Sequence, residues 1–319
     1  MKPFKLTPAF KDYLWGGSLL RERYGKKSAL DKIAESWELS CHKSGESVVA
    51  DGVHAGKTLS ALIAENPAIL GDDAEKFENF PVLIKLIDAK DNLSVQVHPA
   101  NDYALRVEGE YGKTEMWYVV ECEPGASLIY GFNREIDKDE FRRRIEDNTL
   151  LEVVNQVPVR RGDVFFIEAG TLHAIGAGIL IAEIQQNSDS TYRVYDYGRT
   201  GVDGKPRELH IEKALDVTVT APSHRPIGPV GAVEHMDGYR RVLLGSCDYF
   251  TAQLLTIFSN ASLHAGRSSF HALLCLSGEG TLRFEGGELA FGPGESMFVP
   301  AHFGDYTIDG VCELIETTV

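Results

Sequence analysis

Two polar side chains, Gln96 and His98, lie at the end of the apolar stretch 93–99. Side chains two residues apart on a strand leave the same face, so these two would project together while Val95 and Val97 enter a core. An amide and an imidazole side by side are either two metal ligands or the polar face of a half-buried strand. Taken alone, the stretch favours the polar face, because short motifs match by chance.

A carboxylate and another imidazole follow further along the chain. Glu115 belongs to a strand predicted over residues 113–120, and Lys113 lies two residues before it on the same face. His173 ends a turn that connects two apolar strand patterns. The chain has ten histidines, so a chance pair is common, and the order of the candidates is more informative than any one of them.

The order of these residues is that of the ligands in many small jelly-roll barrels. Such barrels often hold one metal ion with ligands near one strand end, a carboxylate on the next strand and a histidine from a later strand. Imidazole, carboxylate and amide groups suit zinc, with iron(II), manganese or cobalt as alternatives. The candidate ligands in this order are Gln96, His98, Glu115 and His173.

Composition and charge exclude some classes of partner. The 319 residues are 43% hydrophobic and 25% charged, which is ordinary for a soluble globular protein and long enough for two domains. The formal net charge of −15 repels phosphate backbones and anionic lipid, so nucleic acid and membrane surfaces are disfavoured. An anionic small substrate would need a local cationic pocket.

Cysteine usage indicates a reducing compartment, and we expect a cytoplasmic protein. The N-terminal residues lack the apolar core of a signal peptide, and no run has the length of a transmembrane helix. The cysteines are scattered, odd in number and without a CxxC motif, which disfavours a disulfide framework or a thiolate zinc site. They are Cys41, Cys122, Cys247, Cys275 and Cys312.

The hydrophobic patterns predict a mainly β protein with small helical insertions near residues 58–78 and 137–156. Thr58 is a predicted helix N-cap, and Asp137 with Glu140 forms a capping-box-like start. A further short helix is predicted at 211–217. Strands are predicted at 33–40, 81–89, 93–99, 113–120, 127–130, 163–167, 178–184, 250–257, 272–276, 280–284 and 296–299.

A linker divides the chain into two predicted domains. Residues 221–231 are dense in proline and glycine. We expect a metal-binding jelly-roll domain over residues 1–220 and a second, degenerate jelly-roll domain without metal over residues 232–319. Within the first domain, the polar and aromatic residues 187–199 suit a functional loop or an edge strand.

An internal repeat supports two copies of one all-β unit. Residues 162–169 and 294–301 both read glycine, acid, two variable residues, phenylalanine, β-branched residue, variable residue, alanine. A strand–turn–strand unit is predicted upstream of each, at 117–130 and 273–284. Two such copies predict paired, cupin-like jelly-roll barrels.

The same alignment distinguishes the copies chemically. Extended toward the C-terminus, the alignment places His173 opposite Asp305. Extended toward the N-terminus, it places Glu115 opposite His271. The second copy therefore differs at both candidate ligands. We infer that the first copy holds the site and that the second is structural.

Four ordered motifs resemble the type I mannose-6-phosphate isomerases. The N-terminal Trp-Gly-Gly and Glu-Ser-Trp-Glu segments are similar to the shorter bacterial branch of that family, and the likeness covers nearly the whole chain. The motifs are Leu-Ser-Val-Gln-Val-His-Pro at 93–99, Lys-Thr-Glu-Met-Trp at 113–117, Gly-Thr-Leu-His-Ala at 170–174 and Asn-Ser-Asp-Ser-Thr-Tyr-Arg at 187–193.

The resemblance implies a zinc-dependent aldose–ketose isomerase that interconverts mannose 6-phosphate and fructose 6-phosphate. It assigns Arg193 to the active-site arginine and places Lys113 and Asp189 in the pocket. It also implies one zinc ion per chain, held by His98, Glu115 and His173 with Gln96 as the fourth ligand.

One departure from the family pattern concerns the strand that carries Lys113. Longer members read His-Lys-Pro-Glu where this chain has Gly112-Lys113-Thr114-Glu115. A catalytic role for that histidine therefore cannot be transferred. The large helical insertion of the longer members is reduced here, and we expect it at 137–156.

The chemistry of such a reaction fits these residue types independently. Moving a proton between adjacent carbons of a sugar needs charge stabilisation, a base and a proton shuttle, while the phosphate needs a cation. Lys113 could be the base or a phosphate contact, and Asp189 could be the base instead. Arg193 could stabilise enediolate charge or hold phosphate. Lys85 interrupts an apolar strand, so either its stem reaches solvent or its ammonium faces a polar pocket and contacts substrate.

Two alternatives from other classes remain at this stage. A metal-dependent cupin oxygenase would use a similar ligand set, although Lys113, Asp189 and Arg193 suit an anionic polar substrate better. A non-catalytic sugar-binding module would bind ligand without turnover. The favoured partner is a small sugar phosphate, and the sequence predicts no oligomeric state.

Overall fold

Strands dominate the N-terminal two thirds of the chain, as predicted. The computed structural model describes residues 1–201 and 204–319. The strands of this part are β1 (Phe4–Thr7), β2 (Ala9–Lys11), β3 (Glu35–Leu39), β4 (Cys41–His42), β5 (Gly45–Glu46), β6 (Val48–Val49), β7 (Val82–Ala89), β8 (Val95–Val97), β9 (Glu115–Cys122), β10 (Ser127–Phe132), β11 (Val154–Pro158), β12 (Val164–Ile167), β13 (His173–Ala174), β14 (Ile179–Gln186) and β15 (Tyr192–Tyr195).

The C-terminal strands are longer, and the helices are short. The helices are α1 (Leu19–Glu22), α2 (Leu59–Glu65), α3 (Asn101–Val107), α4 (Lys138–Glu146) and α5 (Ile211–Val217), with 3-10 turns at Gly52–His54, Pro67–Leu70, Asp72–Lys76 and Leu150–Glu152. The strands are β16 (Glu234–His235), β17 (Tyr239–Ser246), β18 (Thr251–Ile257), β19 (Asn260–Ala265), β20 (His271–Phe284), β21 (Gly287–Phe291), β22 (Ser296–Val299) and β23 (Gly304–Thr318). None of the helices in the described ranges has the length and apolar character needed to cross a lipid bilayer.

The candidate ligands lie between two antiparallel sheets. A six-stranded sheet runs in the order β12-β9-β14-β7-β3-β2, and a five-stranded sheet runs in the order β11-β10-β13-β8-β15. One apolar cluster draws on both sheets, and Tyr130 of β10 packs edge-on against Phe165 of β12 at 5.5 Å between ring centroids. The fold is therefore mainly β and cupin-like, as predicted.

The predicted repeat is confirmed by sheet register. Gly162 and Gly294 both occupy the left-handed region, with φ of 89° and 78°, where glycine is favoured. Glu115 pairs opposite Ile167 in the first copy, and His271 pairs opposite Val299 in the second. Since Ile167 and Val299 are equivalent in the repeat, the alignment of Glu115 with His271 is correct.

One predicted strand–turn–strand unit is wrong. Residues 273–284 lie in the single strand β20, which pairs along most of its length with β23. A register shift between Cys275 and Ser277, followed by Gly278 at φ 75°, bends the strand without ending it. The glycines that suggested a turn therefore mark a bulge.

The two helical insertions are present, but the second is shorter than predicted. Thr58 accepts a hydrogen bond from the Ala61 N–H, and Asp137 accepts one from the Glu140 N–H, so both predicted N-caps form. Helix α4 ends at Glu146, because Asn148 adopts a left-handed φ of 58°. Strand β11 then begins at Val154, inside the range predicted to be helical.

The N-terminal strand pairs with the C-terminal sheet. Strand β1 pairs with β22, with Phe4 opposite Phe298, and the two rings stack at 5.2 Å between centroids. Phe270 stacks on the other side of Phe298 at 4.9 Å. The division at residues 221–231 stays a prediction, and β1 links the first residues of the chain to the sheet that follows it.

We expect Phe4→Ala to lower the free energy of unfolding by about 3–5 kcal/mol, because it removes a buried ring from this stack. The measurement is urea unfolding followed by tryptophan fluorescence. Phe258→Ala is the matched control, since that ring is 54% exposed and its loss should cost less than about 0.5 kcal/mol. Equal losses in both variants would contradict the stabilising role of β1.

Candidate metal centre and active site

Three predicted ligands meet between the five-stranded and the six-stranded sheet. The two imidazole Nε2 atoms of His98 and His173 are 3.1 Å apart. The Glu115 carboxylate lies 3.6 Å from the first through Oε2 and 3.4 Å from the second through Oε1. All three residues are buried. Their polar atoms have lost contact with water, so they need partners inside the protein.

The outer nitrogen of each imidazole is fixed by a backbone carbonyl. His98 Nδ1 lies 2.9 Å from the Ser190 oxygen, and His173 Nδ1 lies 2.8 Å from the Thr171 oxygen. Because a carbonyl only accepts, each Nδ1 carries the proton and each Nε2 presents a lone pair inward. This arrangement is typical of metal-binding histidines.

The inward acceptors have more lone pairs than the described residues have donors for, since Lys113 Nζ lies 3.2 Å from His98 Nε2 and 2.7 Å from Glu115 Oε2, and this surplus fits a divalent cation. Within the described ranges, Glu115 Oε1 has no hydrogen-bond donor. Two facing imidazole lone pairs and a carboxylate repel each other unless a positive charge lies between them. The donor set of two nitrogens and one carboxylate suits zinc, and these three residues form the group whose ligand atoms all lie within 4.8 Å of one another.

Burial keeps both imidazoles neutral. Burial first, and then the charge of Lys113, lowers the pKa of His98 well below its usual value. Burial also lowers the pKa of His173 to about 3. Burial and the neighbouring Glu183 raise the pKa of Glu115 to about 7 against the opposing effect of Lys113. The histidines are therefore in the form that binds metal.

The fourth predicted ligand, Gln96, lies in the sheet beside the cluster. It pairs opposite His173 on one side of β8 and opposite Arg193 on the other. It also lines a cavity of about 290 Å³ whose wall includes Lys113, the residue in contact with His98 and Glu115. Its role as a ligand stays a prediction.

The same cavity brings together the remaining predicted site residues. Lys85, Lys113, Asp189 and Arg193 all line it with Gln96, although they come from four separate segments. Strand β15, which carries Arg193, is an edge strand of the five-stranded sheet, as one of the two readings of residues 187–199 expected.

The two lysines belong to a buried ion-pair network. Lys85 Nζ lies 3.1 Å from Glu183 and 3.8 Å from Glu35, so its ammonium faces the pocket rather than solvent. Lys113 Nζ lies 2.7 Å from Glu115 and 3.7 Å from Glu183. Burial opposes charge on Glu183, but Lys113 and Lys85 together hold its pKa below the ordinary value. Burial likewise opposes charge on Lys85, yet Glu183 and Glu35 raise its pKa.

Glu183 and Arg207 were missed by the sequence analysis. Glu183 interrupts an apolar strand just as Lys85 does, and the two residues pair directly across β14 and β7. A search for charged residues inside apolar strand patterns would have found it. Arg207 follows the strand in a loop with no such pattern, and only the structure places it on the cavity wall with Arg193.

Among the residues that the structure describes, Arg193 is the cation of the cavity without a carboxylate in an ion pair. Its Nη1 donates to the Glu208 carbonyl at 3.0 Å, while its buried Nε has no hydrogen-bond partner among the residues that the structure describes. Burial, followed by the nearby charge of Arg207, lowers the pKa of Arg193. Arg207 is itself held by Asp196 through Nε at 2.7 Å. Two guanidinium groups, those of Arg193 and Arg207, therefore belong to the wall of this cavity.

The missing histidine at position 112 has a steric explanation. A Cβ atom on Gly112 would lie 2.5 Å from the Ala100 carbonyl carbon and 2.6 Å from the Asn101 nitrogen. The Lys113 N–H donates to the Pro99 carbonyl at 2.9 Å, which holds the two segments this close. In this chain, no side chain fits beside the lysine without moving the backbone that carries His98.

The fold and the cluster together define a cupin-type protein with a candidate metal centre. Residues 3–116 match the family model described as phosphomannose isomerase type I, catalytic domain. Residues 242–319 match the one described as mannose-6-phosphate isomerase, cupin domain.

Full-length relatives agree with these matches. The chain is 40% identical to a probable mannose-6-phosphate isomerase of Bacillus subtilis, with 98% of each chain covered. It is 36% identical to the mannose-6-phosphate isomerase of Streptococcus mutans, over 98% of this chain and 97% of that one. The crystal structure of the mannose 6-phosphate isomerase from Bacillus subtilis superposes with a TM-score of 0.91 at 35% identity, covering 100% of both chains. The chain therefore belongs to the type I mannose-6-phosphate isomerase family, and it is an isomerase.

We expect Gly112→Ala to lower the free energy of unfolding by about 1–3 kcal/mol, because the new methyl group overlaps backbone atoms. Chemical denaturation would measure the loss. Gly292→Ala is the matched control, since nothing lies within 4 Å of its added Cβ. Similar stabilities for the two variants would show that the two segments can separate freely.

Proposed function

We propose that this isomerase interconverts mannose 6-phosphate and fructose 6-phosphate and that it uses one zinc ion per chain. The observation that carries the proposal is the buried cluster of His98, Glu115 and His173 beside a cavity lined by cations. The names of the relatives supply the substrate pair. Family membership separates this proposal from the oxygenase and the sugar-binding module, neither of which is an isomerase.

Four residues would hold the metal: His98, Glu115 and His173, with Gln96 as the fourth ligand. When bound there, a divalent ion supplies Lewis-acid stabilisation of negative charge on a substrate oxygen. The carbonyl groups of Ser190 and Thr171 keep the two imidazoles oriented for this role.

Asp189 is the proposed general base. Conversion of the aldose to the ketose removes the proton from C2 and returns a proton to C1 through an enediolate. In the described part of the chain, no lysine or arginine forms an ion pair with Asp189, so its lone pairs remain for the substrate. Lys113 lies within ion-pair distance of Glu115 and Glu183, and we assign it to proton transfer between the two substrate oxygens rather than to abstraction from carbon.

Arg193 is the proposed phosphate contact. Lys85 and Lys113 already have carboxylate partners, whereas Arg193 has only a carbonyl and an unpartnered Nε among the described residues. Arg207 adds a second guanidinium to the wall of the cavity. Guanidinium groups bind phosphate with two parallel hydrogen bonds. Lys85 is left to contact substrate hydroxyls.

A cytoplasmic location completes the proposal. All five cysteines are unpaired, which fits a reducing compartment. The acidic composition supports a small-molecule partner rather than nucleic acid or a membrane surface.

Removal of the metal should abolish conversion of mannose 6-phosphate. We expect dialysis against a strong chelator to remove about one zinc per chain together with activity, and added zinc to restore both. His173→Ala should lose bound zinc, because a buried ligand disappears, while His264→Ala should keep it, since that histidine pairs with Asp305 on the surface. Full activity in metal-free protein would contradict the proposal.

Arg193→Gln should discriminate against the phosphorylated sugar. Loss of a charge-assisted phosphate contact of about 1.5–3 kcal/mol corresponds to a decrease in kcat/KM of about 10–150-fold. The measurement compares mannose 6-phosphate with free mannose in the same variant. An equal decrease for both sugars would assign Arg193 to the reacting carbons instead of the phosphate.

A further inference from the structure

The segment between β14 and β15, residues 187–191, reaches both parts of the proposed site. Asp189 lies on the wall of the cavity. The backbone oxygen of the next residue, Ser190, accepts the hydrogen bond from His98 Nδ1 at 2.9 Å. A displacement of this segment would therefore move a candidate base and rotate a candidate ligand together.

A carboxylate on the far side of the segment holds it in place. The Ser190 hydroxyl donates to Glu110 Oε1 at 2.5 Å. Glu110 Oε2 lies 3.3 Å from His42 Nε2. Because His42 Nδ1 accepts a hydrogen bond from the Ser44 N–H at 3.2 Å, its proton is on Nε2 and points at the carboxylate. The chain of contacts thus runs from β4 through Glu110 to Ser190.

The Glu110 carboxylate is charged under ordinary conditions. The hydrogen bond from His42, although opposed by partial burial and aided by Ser190, holds its pKa below the usual value. Glu110 lines a separate surface groove with His42 and Tyr111 rather than the cavity that holds Asp189. It is therefore placed to act through Ser190 and not on substrate.

We propose that Glu110 is a positioning residue for the metal centre. An oxygen that accepts from the Ser190 hydroxyl fixes the Ser190 carbonyl, and that carbonyl fixes the tautomer and the ring orientation of His98. The inference rests on the proposed function in one respect, namely that His98 binds the metal.

Glu108 provides a matched control on the same loop. It accepts hydrogen bonds from the Tyr192 hydroxyl at 2.8 Å and from Lys213 Nζ at 2.7 Å, so it too anchors the chain near β15. It has no hydrogen bond to Ser190 within the described ranges. Removing Glu108 tests for a general loss of anchoring without disturbing the contact to His98.

The test is a zinc-affinity measurement on the full-length protein by competition with a chromophoric chelator. We expect Glu110→Ala to weaken zinc binding about 10–100-fold, as loss of an orienting group around a metal ligand typically does. Glu110→Gln should stay within about threefold of the parent, because its amide oxygen still accepts from Ser190. Glu108→Ala should keep the parental affinity.

Ser190→Ala supplies an independent variant, because it removes the hydroxyl and keeps the carbonyl. It should weaken zinc binding as Glu110→Ala does, and the double variant should show no further loss. Fully additive losses, or equal losses in the Glu110→Ala and Glu108→Ala variants, would overturn the positioning role.

His98→Ala distinguishes this inference from the proposed function. If His98→Ala loses zinc while Glu110→Ala binds it like the parent, the positioning role fails and the metal centre stands. If His98→Ala binds zinc like the parent, the proposed metal centre fails, and the role of Glu110 fails with it.

Discussion

The placement of three hydrogen-bond acceptors in a buried space is the constraint on which the two surrounding sheets depend. Two imidazole lone pairs and a carboxylate face one another at 3.1–3.6 Å. Such a cluster is unfavourable in a low-dielectric interior unless positive charge compensates it. Lys113 supplies part of that charge from the cavity side, at 2.7 Å from Glu115. The strands around the cluster must hold these groups against their mutual repulsion, which explains the carbonyl contact behind each imidazole.

The cations of the cavity differ in how they are paired. Lys85 and Lys113 share the carboxylates of Glu35, Glu115 and Glu183. Arg193 keeps an unpartnered Nε among the described residues, and the charge of Arg207 is close enough to lower the pKa of Arg193. Under the proposed function, the phosphate of the substrate would bind at the arginines and its reacting carbons would lie near His98, Glu115 and His173. The overall charge of −15 makes such a local concentration of cations necessary for an anionic substrate.

The second copy of the repeat carries different side chains at the positions equivalent to the candidate ligands. His271 occupies the place of Glu115, and Glu316 pairs opposite Leu273 as Glu183 pairs opposite Trp117. The His271 ring lies 2.9 Å from Glu316 and 2.7 Å from the Tyr306 hydroxyl. The second copy therefore has different residue types at these equivalent sheet positions.

The sequence by itself determined the features that depend on local geometry. The period of two placed Gln96 and His98 on one face and Lys113 with Glu115 on another, the capping residues located two helices, and the repeat identified equivalent strands. Tertiary structure alone decided what depends on contacts between distant segments. The pairing of Lys85 with Glu183, the approach of Arg207 to Arg193, the lack of space at Gly112 and the entry of β1 into the C-terminal sheet all join residues far apart in the chain. The bulge in β20 was also decided by tertiary structure. The glycine pattern predicts a turn, and only the pairing with β23 makes the segment one continuous strand. Periodicity is a property of neighbouring residues, whereas register and charge pairing are fixed only when the sheets pack.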